Sequence, residues 1–503
     1  MFVRKKINKS GLVSVQIIDK STGSYRVVKT IGSSTINEEL VDLVSKGKEW
    51  IKQRTGLIEL DFDKKEDQLA AFVSSIESLR MVGIDLLLGK IFDEIGYNQI
   101  EDILFKHLVL YRLVYPTSKL KTTEYLYRYQ QINWDENKVY RYLDKLHSTQ
   151  KEHIQNISYA HTVKILQGNP QVIFYDVTTI YFEIEDNDEL RQTGFSKEGR
   201  HSNPQIVLGL LVSQYGYPLA YDIFEGSKFE GHTLMPIVNH FKQKYKLEKL
   251  VIVADAGLLS NNNINHLIAN DFEFILGARI KNESQTTQNQ ILSKPYKNGQ
   301  TRTFIKPNKT KLIVSYSEKR AYKDASNRER GLRRLEKQLN QGKLTKSNIN
   351  NKGYNKYLKL TGKINITIDY EKYETDKSWD GLKGYITNCQ MPVDEIIKNY
   401  NHLWQIEKAF RISKTDLKIR PIYHRIPKRI EAHICLNFAA YMVYKELERQ
   451  LKEKKANISA QKAIEIASFI FEISIQLPSS GERVSRTILK TEEQILLGQL
   501  FDF

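Results

Sequence analysis

The sequence predicts an α/β protein, and three observations carry that expectation. Short runs of strand-forming apolar residues, Val172-Ile173-Phe174-Tyr175 and Leu250-Val251-Ile252-Val253-Ala254, alternate with helical patterns. Strands that read as unbroken apolar runs are those covered on both faces, usually by helices. Each of these two runs ends on an aspartate, Asp176 and Asp255. A strongly basic stretch beginning at residue 281 then interrupts the pattern, which resumes at Gly384-Tyr385-Ile386-Thr387.

In chain order, residues 1–35 alternate as strands do. Val13-Ser14-Val15-Gln16-Ile17 and Tyr25-Arg26-Val27-Val28 flank a turn at Ser21-Thr22-Gly23, which predicts a small hairpin unit. Residues 36–165 turn helical, with apolar spacings of three and four through 85–92, 100–113 and 136–146. Pro116-Thr117-Ser118 breaks that run, and Asn133 or Asp135 is placed to cap the helix carrying Val139, Tyr142, Leu143 and Leu146. Residues 166–280 hold the first part of the α/β core. There, apolar runs at 206–212 and 218–223 straddle Tyr215-Gly216 as antiparallel neighbours, followed by helices near 232–245 and 262–269 and a strand at 272–276. Residues 281–380 read as an insertion, with strand-like pieces at 312–316 and 364–368 around a very basic helix near 326–341. The core's second part spans 381–455, with long helices from about Asp394 and over 428–454, and residues 456–503 are expected to be helical.

Charge and composition narrow the function. Seventy-six Lys and Arg stand against fifty-nine Asp and Glu, a formal net of +17, and a field of that sign attracts polyanions such as nucleic acid. Seventeen of those cations against five acids lie in residues 281–346 alone. Basic faces on the short helices of 36–165 suit a helix-turn-helix type of DNA contact. The longest apolar run falls far short of the roughly 20 residues of a membrane span, and the N-terminal Met1-Phe2-Val3-Arg4-Lys5-Lys6 has no apolar segment behind its charges. Cys389 and Cys435, the two cysteines, exclude a disulfide framework or a cysteine-rich zinc site. A soluble, cytoplasmic protein is expected.

Carboxylates at the C-terminal edge of a sheet are where an α/β fold builds its site. Asp also ends strands simply because it starts turns well, so the pair weighs more than either alone. Their oxygens suit a hard divalent cation such as Mg²⁺. A third acid lies on the segment Tyr400-Asn401-His402-Leu403-Trp404-Gln405-Ile406-Glu407-Lys408-Ala409-Phe410-Arg411-Ile412-Ser413-Lys414. Read as one helix at about 100° per residue, Tyr400, Leu403, Trp404, Glu407, Arg411 and Lys414 fall within about 60° of one another's mean direction. A solvated face with Glu407–Arg411 pairing is the plainer account, but Tyr400 and Trp404 are poor residues for a merely solvated surface. Basic residues then continue through Lys418, Arg420, Arg425, Lys428 and Arg429.

This segment resembles the DDE transposases of bacterial insertion sequences, in particular the IS-four superfamily, whose signature is Tyr-x2-Arg-x3-Glu-x6-Lys. Tyr400, Glu407 and Lys414 stand at the signature spacings, and Leu403 takes the place of the arginine. Phe174-Tyr175-Asp176-Val177-Thr178-Thr179, Pro204-Gln205-Ile206-Val207-Leu208-Gly209-Leu210, Asp255-Ala256-Gly257 and Arg420-Pro421-Ile422-Tyr423-His424 are similar to blocks of the same family. The resemblance covers residues 172–431. It implies a ribonuclease-H-like core interrupted by a β-rich basic insertion domain, with an N-terminal helical DNA-binding region and a helical C-terminus. It implies Asp176, Asp255 and Glu407 as the catalytic, metal-binding triad. Tyr400, Trp404, Arg411, Lys414, Lys418 and Arg420 are the DNA-binding candidates, with Tyr400 and Lys414 on phosphate near the cleaved end and Trp404 stacking on a base. Two Mg²⁺ ions, replaceable by Mn²⁺, would serve in-line displacement at phosphorus.

The partners so implied are double-stranded DNA, as terminal inverted repeats and target, and a second copy of the chain in a synaptic homodimer. The location implied is the bacterial cytoplasm, on the nucleoid. Three rivals stand beside this reading. A dehalogenase-type phosphatase would need a second Asp two residues after Asp176, where Thr178 stands. The intact triad speaks against a transposase-derived DNA-binding protein without catalysis, and strand joining from a pre-cut 3′-hydroxyl donor would separate a metal-dependent nuclease from a transposase.

Overall fold

The computed structural model describes residues 1–21, 23–55, 69–196, 199–258, 260–351, 353–361, 365–477 and 481–503. Thr22 and Ile364, which fall in the expected turn and strand, lie outside the described residues, as do Lys197 and Glu198.

The chain forms two compact units, one of residues 1–78 and 473–486, the other of 79–472 and 487–503. In the first, the expected hairpin gains a third member: Phe2–Ile7 pairs with Val13–Asp19, which pairs with Arg26–Ser34, all antiparallel. Val15, Ile17 and Ile18 are its buried hydrophobic residues. The helix Asn37–Thr55 follows.

The second unit is built on one eight-stranded sheet. Its strands are β1 (Val172–Tyr181), β2 (Gln205–Ser213), β3 (Pro218–Glu225), β4 (Val251–Ala254), β5 (Glu273–Ala278), β6 (Thr301–Ile305), β7 (Lys311–Tyr316) and β8 (Leu382–Thr387). They lie in the order β6-β7-β8-β5-β4-β1-β2-β3. β1, β4 and β5 are parallel and the remaining neighbours antiparallel. Parallel neighbours require crossover connections, and helices Leu234–Lys244 and Asn261–Ala269 supply them.

Those two helices bury Ile237, Phe241, Ile264 and Leu267 against Ile173, Tyr175, Ile252 and Ala254 on one face of the sheet. The alternate residues, Val172, Phe174, Val251, Val253 and Ile275, face the opposite layer. That layer includes α1 (Val393–Asn401), α2 (Trp404–Thr415) and the long α3 (Pro427–Glu453). N-terminal to the sheet, helices Ile103–Val114, Lys119–Gln130, Glu136–Lys145 and Lys151–Leu166 join the same core, and Asp135 caps the third of them by accepting from the Lys138 N–H at 3.2 Å.

Three expectations are corrected. The basic stretch after residue 281 is not a separate β-rich body. Its β6 and β7 extend the core sheet, because Leu312 and Val314 of β7 pair across to Ile386 and Gly384 of β8. The rest is dominated by the 23-residue helix Glu318–Asn340, with a small hairpin of Leu358–Thr361 and Asn365–Ile368. Second, the stretch read as one helix through Tyr400 and Lys414 is two, α1 capped by His402 and α2 starting after Leu403. Third, the segment 456–503 is not wholly helical: strands Phe471–Gln476 and Arg483–Ile488 lie between helices Ala460–Ala467 and Glu492–Phe501.

Candidate active site

The register between parallel strands sets the first two carboxylates. Tyr175 of β1 stands opposite Ala254 of β4, so Asp176 and Asp255 are the next residues on neighbouring strands. Alternation turns both toward the layer of α1 and α2, since Phe174 and Val253 two residues earlier are buried there. Asp176 is half-buried within β1, and Asp255 is exposed just past the end of β4. Helix α1 packs over β4 and β5, and α2 over β1 and β2. On α2, Ile406, Ala409, Phe410 and Ile412 are buried, which leaves Trp404, Glu407 and Arg411 exposed on the opposite side.

Tyr400 ends up inside the protein. It is 6% exposed, and its hydroxyl donates to Asp255 Oδ1 at 3.3 Å. Burial raises its pKa, and the neighbouring Asp255 carboxylate reinforces the effect, so the phenol stays protonated and remains a donor. The sequence reading gave Tyr400 to a DNA phosphate; the structure gives it to an aspartate. Gly277 of β5 makes the contact possible. A Cβ there would overlap the Tyr400 hydroxyl and stand 3.0 Å from the Ala256 nitrogen. Gly277→Ala is therefore expected to push the phenol off Asp255 and lower any activity that depends on it by about tenfold, with Tyr400→Phe showing a similar loss. Full activity in Gly277→Ala would show that the tyrosine only fills space.

Sequence reasoning missed Lys383. It lies on β8 two residues before Tyr385, so it faces the same layer, and its Nζ sits 4.5 Å from the Tyr400 ring centre. Burial lowers its pKa and nearby Arg320 adds to this, while Asp255 and Glu407 pull the other way. Both carboxylates thus act on one ammonium group. The signal was a lysine in step with Tyr385 on a core strand, where a charge needs a reason. A further acid was also missed: the turn Glu230–His232 packs against Ala256–Leu258, placing Glu230 Oε2 3.8 Å from where a Cβ of Gly257 would be. His232 itself is exposed.

Trp404 is 49% exposed at the first turn of α2, with Lys408 Nζ 5.8 Å from its ring centre, so the indole is not packed into the core. Leu403, at the arginine position of the signature, is 7% exposed and packs into the main core. Lys414 is half-buried one turn beyond Arg411. Lys418 and Arg420 come after α2, and the Arg420 guanidinium lies 5.6 Å from the Tyr181 ring centre at the far end of β1.

Among the described residues no three His, Cys, Asp or Glu side chains are grouped closely enough to hold an ion. The donor chemistry still fits a hard divalent cation. Asp176, Asp255 and Glu407 offer only oxygens, and two of the three are exposed. Asp176 and Asp255 would hold such an ion from the sheet, and Glu407 from the helix above it.

A transposase DDE domain model matches residues 167–443. Among solved structures, the chain is similar to a piggyBac transposase synaptic complex with hairpin DNA, at 10% identity and a TM-score of 0.39 over 80% of this chain and 79% of that one. It is also similar to a Mos1 mariner paired-end complex with Mn, at 13% identity and a TM-score of 0.15 over 25% of this chain and 42% of that one. A comparison with curated proteins finds no match. No helix among the described residues is long and apolar enough to cross a membrane. The domain match takes in β1 through most of α3, with both strand-end aspartates and Glu407 inside it, and the chain belongs to the transposase DDE domain family.

Proposed function

We propose that this transposase binds the terminal inverted repeats of its insertion sequence as a homodimer, and cuts and rejoins DNA at the face formed by Asp176, Asp255 and Glu407. The observation that carries this reading is the side-by-side placement of Asp176 and Asp255 on neighbouring strands, with α2, which bears Glu407, packed over the strand of Asp176. We read the sheet as a ribonuclease-H-like core and the element as a bacterial cut-and-paste one, acting on the nucleoid through a hairpin intermediate.

DDE transposases use divalent metal ions. A pair of Mg²⁺ ions, or Mn²⁺ in their place, would supply Lewis-acid stabilisation of charge developing at phosphorus. The chain's own groups do the rest. Tyr400 holds the Asp255 carboxylate in one orientation through its hydroxyl. Lys383 balances carboxylate charge that would otherwise repel a DNA phosphate. Arg411 and Lys414 would grip the strand being cut, and Trp404, 49% exposed, would offer its ring to a base. Water attacks first at the element's end, and the freed 3′-hydroxyl then attacks a second phosphodiester with the same in-line geometry.

The test is incubation of the purified protein with its element's ends and Mg²⁺, using pre-cut 3′-hydroxyl ends as donor in a second reaction. Strand joining is expected from the pre-cut donor. Cleavage without any joining would make the protein a nuclease, and binding without either would make it a DNA-binding relative.

Trp404→Ala is expected to leave first-strand nicking within about twofold and to lower hairpin formation by tenfold or more. Stacking on a displaced base is worth roughly 1–3 kcal/mol. An abasic nucleotide at the displaced position should restore the hairpin, because no base then has to leave the stack. Equal loss of both steps would remove the base-stacking role.

A further inference from the structure

A second site lies where the N-terminal helices meet the segment after α2. A cavity of about 630 Å³ opens there, lined among others by Arg112, Lys119, Lys418 and Arg420, with Glu136 as its one carboxylate. Four basic side chains line the cavity against one acid.

Two of the cations are almost wholly enclosed. Arg112 and Lys119 are each 5% exposed. The Arg112 guanidinium has no ion pair or hydrogen bond among the described residues, and burial alone pushes its pKa down to about 10. Lys119 Nζ finds only an imidazole nitrogen, His433 Nδ1 at 3.4 Å, and burial, with the charge of Arg112 adding to it, holds its pKa well below the ordinary value. His433 Nε2 lies 3.0 Å from the Ile419 carbonyl oxygen, which fixes the hydrogen on that nitrogen and leaves Nδ1 as the acceptor for Lys119. The ring is therefore neutral and offsets none of the lysine's charge. Burial, followed by the charges of Lys119 and Arg112, holds the His433 pKa well below its ordinary value.

The backbone points the same way. The cavity is bordered by Ser118, Lys119 and Leu120, at the start of the 12-residue helix Lys119–Gln130. Ser118 caps it by accepting from the Lys121 N–H, while the N–H groups of Lys119 and Leu120 belong to the first turn, where no intrahelical acceptor exists. Helix N-termini favour anions for this reason. Here that end coincides with two buried cations that lack a counter-charge.

We propose that this cavity is a phosphate-binding site, taking either a backbone phosphate of DNA or a free phosphate ester. Arg112 gives a planar fork of donors for two phosphate oxygens and Lys119 a point charge. Lys418 and Arg420 close the site from the segment that follows α2. The volume exceeds the need of a bare phosphate and suits a group of nucleotide size. The proposal does not depend on the catalytic reading of Asp176, Asp255 and Glu407.

The test uses the full chain and its Lys119→Met and Arg112→Met variants, with exposed Lys372→Met as control. Thermal unfolding is followed in phosphate against chloride at equal ionic strength, and binding of a short DNA duplex is measured across a salt series. Phosphate at about a hundred times its dissociation constant should raise the wild-type Tm by roughly 2–4 °C. Lys119→Met should lose that rise and melt no lower than wild type in chloride, because it removes a buried amine that has no carboxylate partner.

If the occupant is a backbone phosphate, Lys119→Met should also bind duplex several-fold more weakly, with a salt slope shallower by about one. Lost phosphate stabilisation with unchanged duplex binding assigns a free phosphate ester. The proposal is overturned if Lys119→Met keeps the phosphate-dependent rise. It is equally overturned if wild type shows no rise and the variant binds duplex as wild type does. Should Arg112→Met fail to fold, Lys119→Met alone decides.

Discussion

Asp255→Ala or Glu407→Ala should lower strand cleavage by about a thousandfold or more while DNA affinity stays within about twofold. The asymmetry follows from where the charges sit. Affinity for DNA is carried by lysines and arginines that displace counterions from phosphates, and removing one carboxylate from the protein does not weaken that term. Cleavage depends on charge placed where the phosphorus centre becomes more negative, and each factor of ten corresponds to about 1.4 kcal/mol of lost stabilisation. Both residues are exposed, so Glu407→Ala should leave the melting temperature unchanged, while Asp255→Ala also leaves the buried Tyr400 hydroxyl without its acceptor and should lower it slightly. Asp176→Ala should behave alike in cleavage, with a small stability loss because Asp176 is half-buried within β1. Lys383→Met offers a separate check. It removes the ammonium acted on by Asp255 and Glu407, and should change the Mg²⁺ concentration needed for half-maximal cleavage. Cleavage at wild-type rate by Glu407→Ala would end the assignment of the third acid, and Glu230, next to the Asp255 end, would be the first replacement to try.

What could be read from sequence, and what could not, divides along the range of the interactions. The runs ending at Asp176 and Asp255 are local, because four or five consecutive strand-forming residues mark a strand buried on both faces wherever it sits in the sheet. Glu407 is local too, since it is found by spacing within one segment. The break between Tyr400 and Trp404 is different. Nothing in His402 or Leu403 forbids a helix, and the break falls between Tyr400, whose hydroxyl meets Asp255, and the Leu403 side chain, which is buried in the core.

Lys383 becomes meaningful only once β8 is known to lie beside β5, more than a hundred residues away in sequence. The same non-local pairing makes β6 and β7 part of the core sheet, although their basic surroundings mark them as an excursion. The strand Phe471–Gln476 was a missed local signal. Phe471-Glu472-Ile473-Ser474-Ile475-Gln476 alternates with a period of two, which is a strand pattern and not a helical one.

The largest stability effect is expected at Glu446, which is fully buried on α3. Its carboxylate accepts from Tyr217 Oη at 2.7 Å, from Arg449 Nη2 at 2.6 Å and from Gln450 Nε2 at 2.9 Å, and His161 Nε2 stands 3.1 Å away. The cluster joins α3 to the β2–β3 turn and to the helix Lys151–Leu166. Removing one member of a buried charged pair costs about 3–5 kcal/mol, because the partner is left buried and uncompensated. Glu446→Ala should therefore lower the Tm by something on the order of 10 °C.

The pH dependence separates the charge from the packing. Burial alone would raise the Glu446 pKa, but the donors from His161, Arg449, Gln450 and Tyr217 outweigh it and hold the group far below its ordinary 4.5. In the unfolded chain the residue takes up its proton as pH falls through about 4.5, while in the folded protein it stays ionised to much lower pH. The stabilisation is thus complete above the unfolded value and drains away below it, by about 1.4 kcal/mol per pH unit. Urea unfolding of wild type and Glu446→Gln should show a gap that is constant from pH 7 to about 5.5 and narrows at pH 3.5. The glutamine keeps the shape and cannot titrate, so a gap that stays the same at both ends would place the effect in packing and not in the charge.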